Sequence, residues 1–142
     1  MGEGDHGQAL ALPGSEDLPL GSVVTSSPVQ LSRLDEALTL ASRDSGLRFS
    51  VFLGDLGGKP TDTAQRLHGQ MEGSDESVLV AVSPEQRVVE VVTGTEARIR
   101  LPDRGAKLAV MSMVASFKEG DLLGGLLSGL RMLADQAGSR RR

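Results

Sequence analysis

The chain of 142 residues has the length of one domain, and a domain of this size buries about two thirds of its unfolded surface. With no cysteine, it has no disulfide, no thiolate metal ligand and no cysteine nucleophile. No Trp or Tyr and only three Phe argue against binding of single-stranded nucleic acid, which uses aromatic stacking platforms, and a net charge of −4 supplies no positive field for DNA.

Composition divides the chain into three parts. Residues 1–27 are rich in Gly, Pro, Ser and acids without periodicity, which predicts a disordered acidic leader. Residues 28–137 form the predicted domain, and residues 138–142 form a basic tail. The N-terminus lacks the basic and apolar regions of a secretory signal, and the longest apolar stretch, residues 122–130, is too short to span a bilayer. We therefore predict a cytoplasmic protein with no integral membrane segment.

The first half of the domain alternates helix and strand. Leucines at helical spacing predict a helix over residues 30–44, which Gly46 ends. Alternating apolar residues predict a strand over 47–53, and a second amphipathic helix follows Pro60. Two strands joined by a helix are expected to be parallel, by the right-handed crossover rule.

A hairpin comes next. The continuous apolar run 78–82 is typical of a central strand that is covered on both faces. Residues 83–86 supply a type I turn with Pro at its second position, and residues 87–92 return as the antiparallel partner. The alternation of apolar residues over 95–101 predicts a short edge strand.

Two helices complete the domain. One opens at Pro102-Asp103 and reaches about residue 116, and the other opens at Gly120-Asp121 and reaches about residue 136. Gly125 and Gly129 lie on one face of the last helix and predict close packing against a neighbouring element. The fold predicted from this order is α/β: a three-layer α-β-α domain with a mixed three- to four-stranded sheet and four helices.

A recognisable series of residues occupies the turns and the ends of these predicted elements. An acidic loop precedes the aliphatic strand, an arginine lies in the turn, a glycine ends the next strand, an aspartate opens a helix, and a Phe-basic-x-Gly-Asp segment leads into a helix with spaced glycines. The residues are Asp75-Glu76-Ser77, Val78–Val82, Arg87, Gly94, Asp103, Phe117-Lys118-Glu119-Gly120-Asp121, Gly125 and Gly129.

In this series the chain resembles the TPM domain family, named for a thylakoid acid phosphatase, a photosystem II repair protein and a nematode receptor auxiliary protein. It is similar to an uncharacterised actinobacterial, and therefore bacterial, branch of that family. The resemblance implies the fold above and either acid phosphatase activity or binding of a divalent cation. The Asn-Gly that follows the family's loop aspartate is Glu76-Ser77 in this chain.

The predicted topology places carboxylates at one end of the sheet. Asp75 and Glu76 precede the central strand, and Asp103 follows the strand antiparallel to it, with Asp121 as a further member. Carboxylate oxygens are the ligands that Ca²⁺ and Mg²⁺ prefer, so these four residues form a candidate metal site. The alternative is structural, with Asp103 and Asp121 capping helices and Asp75 and Glu76 solvated.

Two other motifs have weaker chemical meaning. The loop over residues 54–61 lies between a strand and a helix, but it is one residue short of a nucleotide-binding loop and has Pro60 in place of the hydroxyl ligand. Weak anion binding at this helix start remains open. His68 has helical spacing with its apolar neighbours and no second metal ligand nearby, which favours a part-buried structural histidine.

The function predicted first is a non-catalytic binding or adaptor module with an unidentified protein partner, because no acid–base pair has the spacing that catalysis requires. The alternative is a divalent-metal-dependent acid phosphatase in which Asp75 and Asp103 hold the cation. No catalytic residue and no cofactor-binding residue is assigned. The only cofactor considered is Ca²⁺ or Mg²⁺.

Overall fold

The computed structural model describes residues 28–138, so the predicted leader and the arginines of the tail lie outside the described residues. The elements in chain order are α1 (Pro28–Ser45), β1 (Arg48–Leu53), α2 (Pro60–Gly69), a 3₁₀ helix (Ser74–Glu76), β2 (Ser77–Ser83), β3 (Val88–Thr93), α3 (Thr95–Arg100), α4 (Asp103–Lys118) and α5 (Leu122–Ala137). The prediction of an α/β domain is confirmed.

The sheet has the order β1-β2-β3. β1 pairs with β2 in parallel, with Arg48 opposite Ser77 and Leu53 opposite Val82. β2 pairs with β3 antiparallel, with Val78 opposite Thr93. Every residue of β2 is buried, as its unbroken apolar run predicts, because the strand lies between two partners and under helices on both faces.

Helices cover both faces of this sheet, which confirms the three-layer arrangement. On the first face, α1, α4 and α5 pack against side chains such as Val51 and Val80, and they form the main core. On the second face α2 packs over a smaller group of side chains, namely Leu56, Ala64, Leu79 and Ala81. The alternation of side chains along each strand divides the core in this way.

The predicted edge strand over residues 95–101 is wrong. Those residues begin with the helix α3, so the described residues contain five α-helices instead of four and a sheet of three strands. Ala97 and Leu101 are fully buried, whereas Ile99 is 76% exposed. Ala97 and Leu101 are four residues apart, so the same apolar residues satisfy both the helical period and the period of a strand, and the short segment could not distinguish them.

The turn between α4 and α5 holds the two helices side by side. The amide of Gly120 donates to the Phe117 carbonyl and the amide of Asp121 to the Ser116 carbonyl, and Gly120 adopts φ +81°, a combination typical of a Schellman motif. The Asp121 carboxylate accepts a bond of 2.9 Å from the Gly124 amide. Capping by Asp121 is confirmed.

Capping by Asp103 is wrong, because Pro102 occupies the N-cap position of α4 and no side chain caps that end. Asp103 is the first residue of the helix.

The two spaced glycines of α5 face α4, as their close-packing role predicts. A Cβ built on Gly125 would lie 2.7 Å from Phe117 Cε1, and one on Gly129 would lie 2.5 Å from Met113 Cγ. Both glycines are buried. This face of α5 is therefore filled by α4 and is closed to any other partner.

Candidate functional site

The carboxylates that the sequence proposes as a metal site lie in three parts of the fold. Asp75 and Glu76 lie in the 3₁₀ helix, and Asp75 Oδ1 accepts a bond of 3.3 Å from the hydroxyl of Thr95. Asp103 begins α4 and Asp121 follows the end of that helix. Because α4 has 16 residues, Asp121 lies ~24 Å along the helix from Asp103.

Residues 28–138 contain no group of three or more His, Asp or Glu side chains arranged to hold a metal ion. Binding of Ca²⁺ or Mg²⁺ by Asp75, Glu76, Asp103 and Asp121 remains a prediction from the sequence.

A close backbone contact fixes the segment that carries Asp75. The amide of Gly94 donates to the Ser77 carbonyl at 2.9 Å, one step beyond the β2–β3 ladder. A Cβ on Gly94 would lie 2.5 Å from the Asp75 carbonyl oxygen and closer still to that of Ser74. Only a residue without a side chain allows the start of α3 to lie so close to the 3₁₀ helix.

The loop between β1 and α2 is tied to the hairpin. The side-chain oxygen of Gln86 accepts from the Leu56 amide, and its side-chain nitrogen donates to the Gly57 carbonyl, both at 2.8 Å. Leu56 itself is fully buried. The loop therefore has a structural function, and the chain's resemblance to a nucleotide-binding loop finds no support in these contacts.

His68 is a buried structural residue, as predicted. Its Nε2 lies 3.0 Å from the carbonyl oxygen of Ser77, which can only accept, so the bond requires a proton on Nε2. The bond ties α2 to the beginning of β2.

A pocket of about 430 Å³ lies where the β2–β3 turn meets the α4–α5 turn. We call it the hairpin pocket. It is lined by Ser83, Pro84, Arg87, Val88, Val89, Val114, Phe117, Lys118, Gly120 and Leu122.

The lining of the hairpin pocket is apolar except at Ser83 and two basic residues. Val114, Phe117 and Leu122 are among its apolar members, Arg87 and Lys118 are its charged members, and no lining residue is acidic. Both basic residues are exposed. The pocket therefore combines a hydrophobic surface with positive charge from two different elements of the fold.

Arg87 stands out in its backbone conformation. With φ 59°, it is the one non-glycine residue of the described chain that has positive φ. Its amide donates to the Pro84 carbonyl at 3.1 Å and closes the turn. A left-handed conformation favours glycine or asparagine, so an arginine here is an unusual residue at the rim of a pocket.

A second pocket, of about 370 Å³, lies between α1 and α5. Its charged lining residues are Asp44, Arg131 and Asp135, which are of mixed sign. It therefore favours neither anions nor cations clearly, whereas the charged residues that line the hairpin pocket are both basic.

Sequence reasoning named Arg87 and Lys118 only as parts of motifs and missed the hairpin pocket. The two residues are 31 positions apart, and their proximity depends on how α4 packs against β3. The one local signal was a basic residue at the end of a four-residue turn, a position where glycine is common.

None of the helices within residues 28–138 has both the length and the apolar character needed to cross a membrane. The cytoplasmic location remains a prediction.

Comparison with solved structures shows the fold. The chain is similar to the N-terminal domain of a P. gingivalis protein solved by solution NMR, with a TM-score of 0.68 and 22% identity, over 85% of this chain and 88% of that one.

Comparison of sequences shows the family. Two uncharacterised Mycobacterium tuberculosis proteins, from strains CDC 1551 / Oshkosh and ATCC 25618 / H37Rv, are each 40% identical over 104 residues, or 73% of this chain. The match spans 62% of the length of each relative. The family described as "Domain of unknown function (DUF5130)" matches residues 19–134. This match overturns the assignment to the TPM family, which rested largely on residues in turns and at the ends of helices and strands. The chain belongs to the DUF5130 family.

Proposed function

We propose that this domain is a non-catalytic binding module whose ligand occupies the hairpin pocket. The observation that carries the proposal is a concave, largely apolar surface with Arg87 and Lys118 in its lining. A volume of about 430 Å³ is within the range of small-molecule sites, which combine apolar walls with a few placed polar groups.

The chemistry of the lining supports binding over catalysis. The lining residues include no carboxylate and no imidazole, the groups that most often act as general acid or base. Ser83 lines the pocket, but alternation along β2 places its side chain on the second face of the sheet with Leu79 and Ala81. A nucleophilic serine activated by a neighbouring base is therefore not supported.

Backbone amide shifts of the full chain provide the test, with octanol, benzoate and benzylamine as probes of different charge. We expect at least one probe to shift the amides of residues 84–89 and 114–122, and we expect Val114→Trp to abolish the shifts by filling the pocket. Ala115→Trp is the matched control, because Ala115 is exposed on the same helix. Leu122→Trp serves as the second filling variant if Val114→Trp does not fold.

Shifts that survive both filling variants, or no shifts with any probe, would contradict the proposal. The other hypothesis, a divalent-metal-dependent acid phosphatase, rests on the sequence alone, and no contact in residues 28–138 favours it. The unidentified protein partner also remains a prediction.

A further inference from the structure

We infer that the hairpin pocket binds a small amphipathic anion, with a carboxylate or phosphate head group held by Arg87 and Lys118 and a short apolar tail on the walls of the pocket. This inference rests on the proposed function and adds the chemical class of the ligand.

The charges of the pocket support an anionic head group. Arg87 comes from the hairpin turn and Lys118 is the last residue of α4, so the basic groups approach from two elements. Acidic residues also lie near these lining residues in sequence, but none of them lines the pocket: they are Glu85, Glu90, Glu119 and Asp121. A guanidinium and an ammonium together suit carboxylate or phosphate oxygens, which accept charge-assisted hydrogen bonds.

The apolar lining supports a hydrophobic tail. Val89, Phe117 and Leu122 are partly buried and pack against the main core, but they still contribute to the pocket wall. A free inorganic anion would leave this surface in contact with water, whereas a ligand with a short alkyl chain would cover it. The lining therefore suits a ligand with both an anionic head group and an apolar tail better than a ligand with only one of these.

The conformation of Arg87 agrees with a ligand-binding role. Glycine would close the turn with less strain than an arginine at φ 59°. Strained backbone conformations cluster at binding sites, where the side chain is needed for a purpose other than stability.

The same head group chemistry occurs in free fatty acids or alkyl phosphates and in anionic lipids of a bilayer. Binding of octanoate, octyl phosphate, octanol and octyltrimethylammonium to the full chain tests the class. Sedimentation with vesicles of phosphatidylglycerol, compared with phosphatidylcholine, tests the bilayer source. Binding to the soluble anions identifies a free ligand, and binding only to phosphatidylglycerol vesicles identifies a lipid head group.

We expect octanoate or octyl phosphate to bind about tenfold more tightly than octanol, as one charge-assisted hydrogen bond to an exposed basic side chain would provide. Arg87→Gln combined with Lys118→Gln should remove this preference. Lys107→Gln is the matched control, because Lys107 is an exposed lysine of α4 that does not line the pocket, and it should leave the preference unchanged.

Octanol, octyltrimethylammonium and the anions could all bind equally tightly, and Val114→Trp could weaken the binding of each. That result would overturn the ligand class but leave the proposed function standing. If the variant with Arg87→Gln and Lys118→Gln still binds the anions more tightly than octanol, the ligand class would also be overturned. If neither these probes nor benzoate and benzylamine perturb the pocket, and the vesicles do not bind, both proposals fall.

Discussion

Replacing Gly94 by alanine should destabilise the domain severely. The added Cβ would lie 2.5 Å from the Asp75 carbonyl oxygen and nearer to that of Ser74, and both obstacles are backbone atoms that cannot rotate away. Overpacking of this kind typically costs about 1–3 kcal/mol. Separating the segments also weakens the 2.9 Å bond from the Gly94 amide to the Ser77 carbonyl, at about 1 kcal/mol.

The sum is about 2–4 kcal/mol, and at about 3–5 °C per kcal/mol for a domain of this size, the melting temperature should fall by roughly 10 °C. Thermal unfolding followed by circular dichroism measures this. Gly69→Ala is the matched control, because Gly69 ends α2 and an added Cβ would have no atom within 4 Å beyond its chain neighbours and the backbone of its own helix. The stability of this variant should stay equal or rise by up to ~1 kcal/mol. A melting temperature for Gly94→Ala within about 2 °C of the wild type would refute the close contact between α3 and the 3₁₀ helix.

Four further changes test other parts of the structure. Arg87→Gly should raise the free energy of unfolding by about 0.5–1 kcal/mol in urea titration, because relief of left-handed strain exceeds the added unfolded-state entropy; a decrease would contradict the assigned φ. Gly125→Ala should lower it by about 1 kcal/mol, since contact with Phe117 outweighs the gain in helix propensity, and no loss would argue against close helix packing. Asp121→Ala should cost about 1 kcal/mol in the same titration, with Asp121→Asn as the control that retains a cap. If Asp75 helps to hold Ca²⁺ or Mg²⁺, a cation at about 100 times its dissociation constant should stabilise the wild type by ~2.7 kcal/mol and Asp75→Asn by less; unchanged melting at millimolar cation would count against the site.

The hairpin was predictable because its signals are local and agree with one another. An aliphatic run, a turn with Pro84 and a second valine-rich run together predict an antiparallel hairpin. The observed pairing of Val78 with Thr93 follows from that arrangement. The parallel pairing of β1 with β2 was also predictable, because the helix between them imposes a crossover.

Residues 95–101 show where the sequence was ambiguous. Ala97, Ile99 and Leu101 alternate as in a strand, while Ala97 and Leu101 alone match one turn of a helix. In the structure Ala97 and Leu101 are buried and Ile99 is exposed, which agrees with the helix. The wide spacing of Asp103 and Asp121 could be foreseen from the sequence, since a predicted helix between them already implies a separation of ~20 Å or more. The hairpin pocket was not predictable in the same way, because no sequence pattern shows which end of α4 approaches Arg87.

The unequal layers of the sheet have a consequence for hydrogen exchange. Of the described helices only α2 covers the second face, and its buried side chains there are Ala64 and His68, whereas three helices cover the first. Segments with few buried apolar contacts open locally at a lower free energy than the whole domain. The amides of α2 should therefore exchange with solvent through its detachment while α4, α5 and β2 remain protected, and each such opening exposes Leu79 and Ala81 transiently.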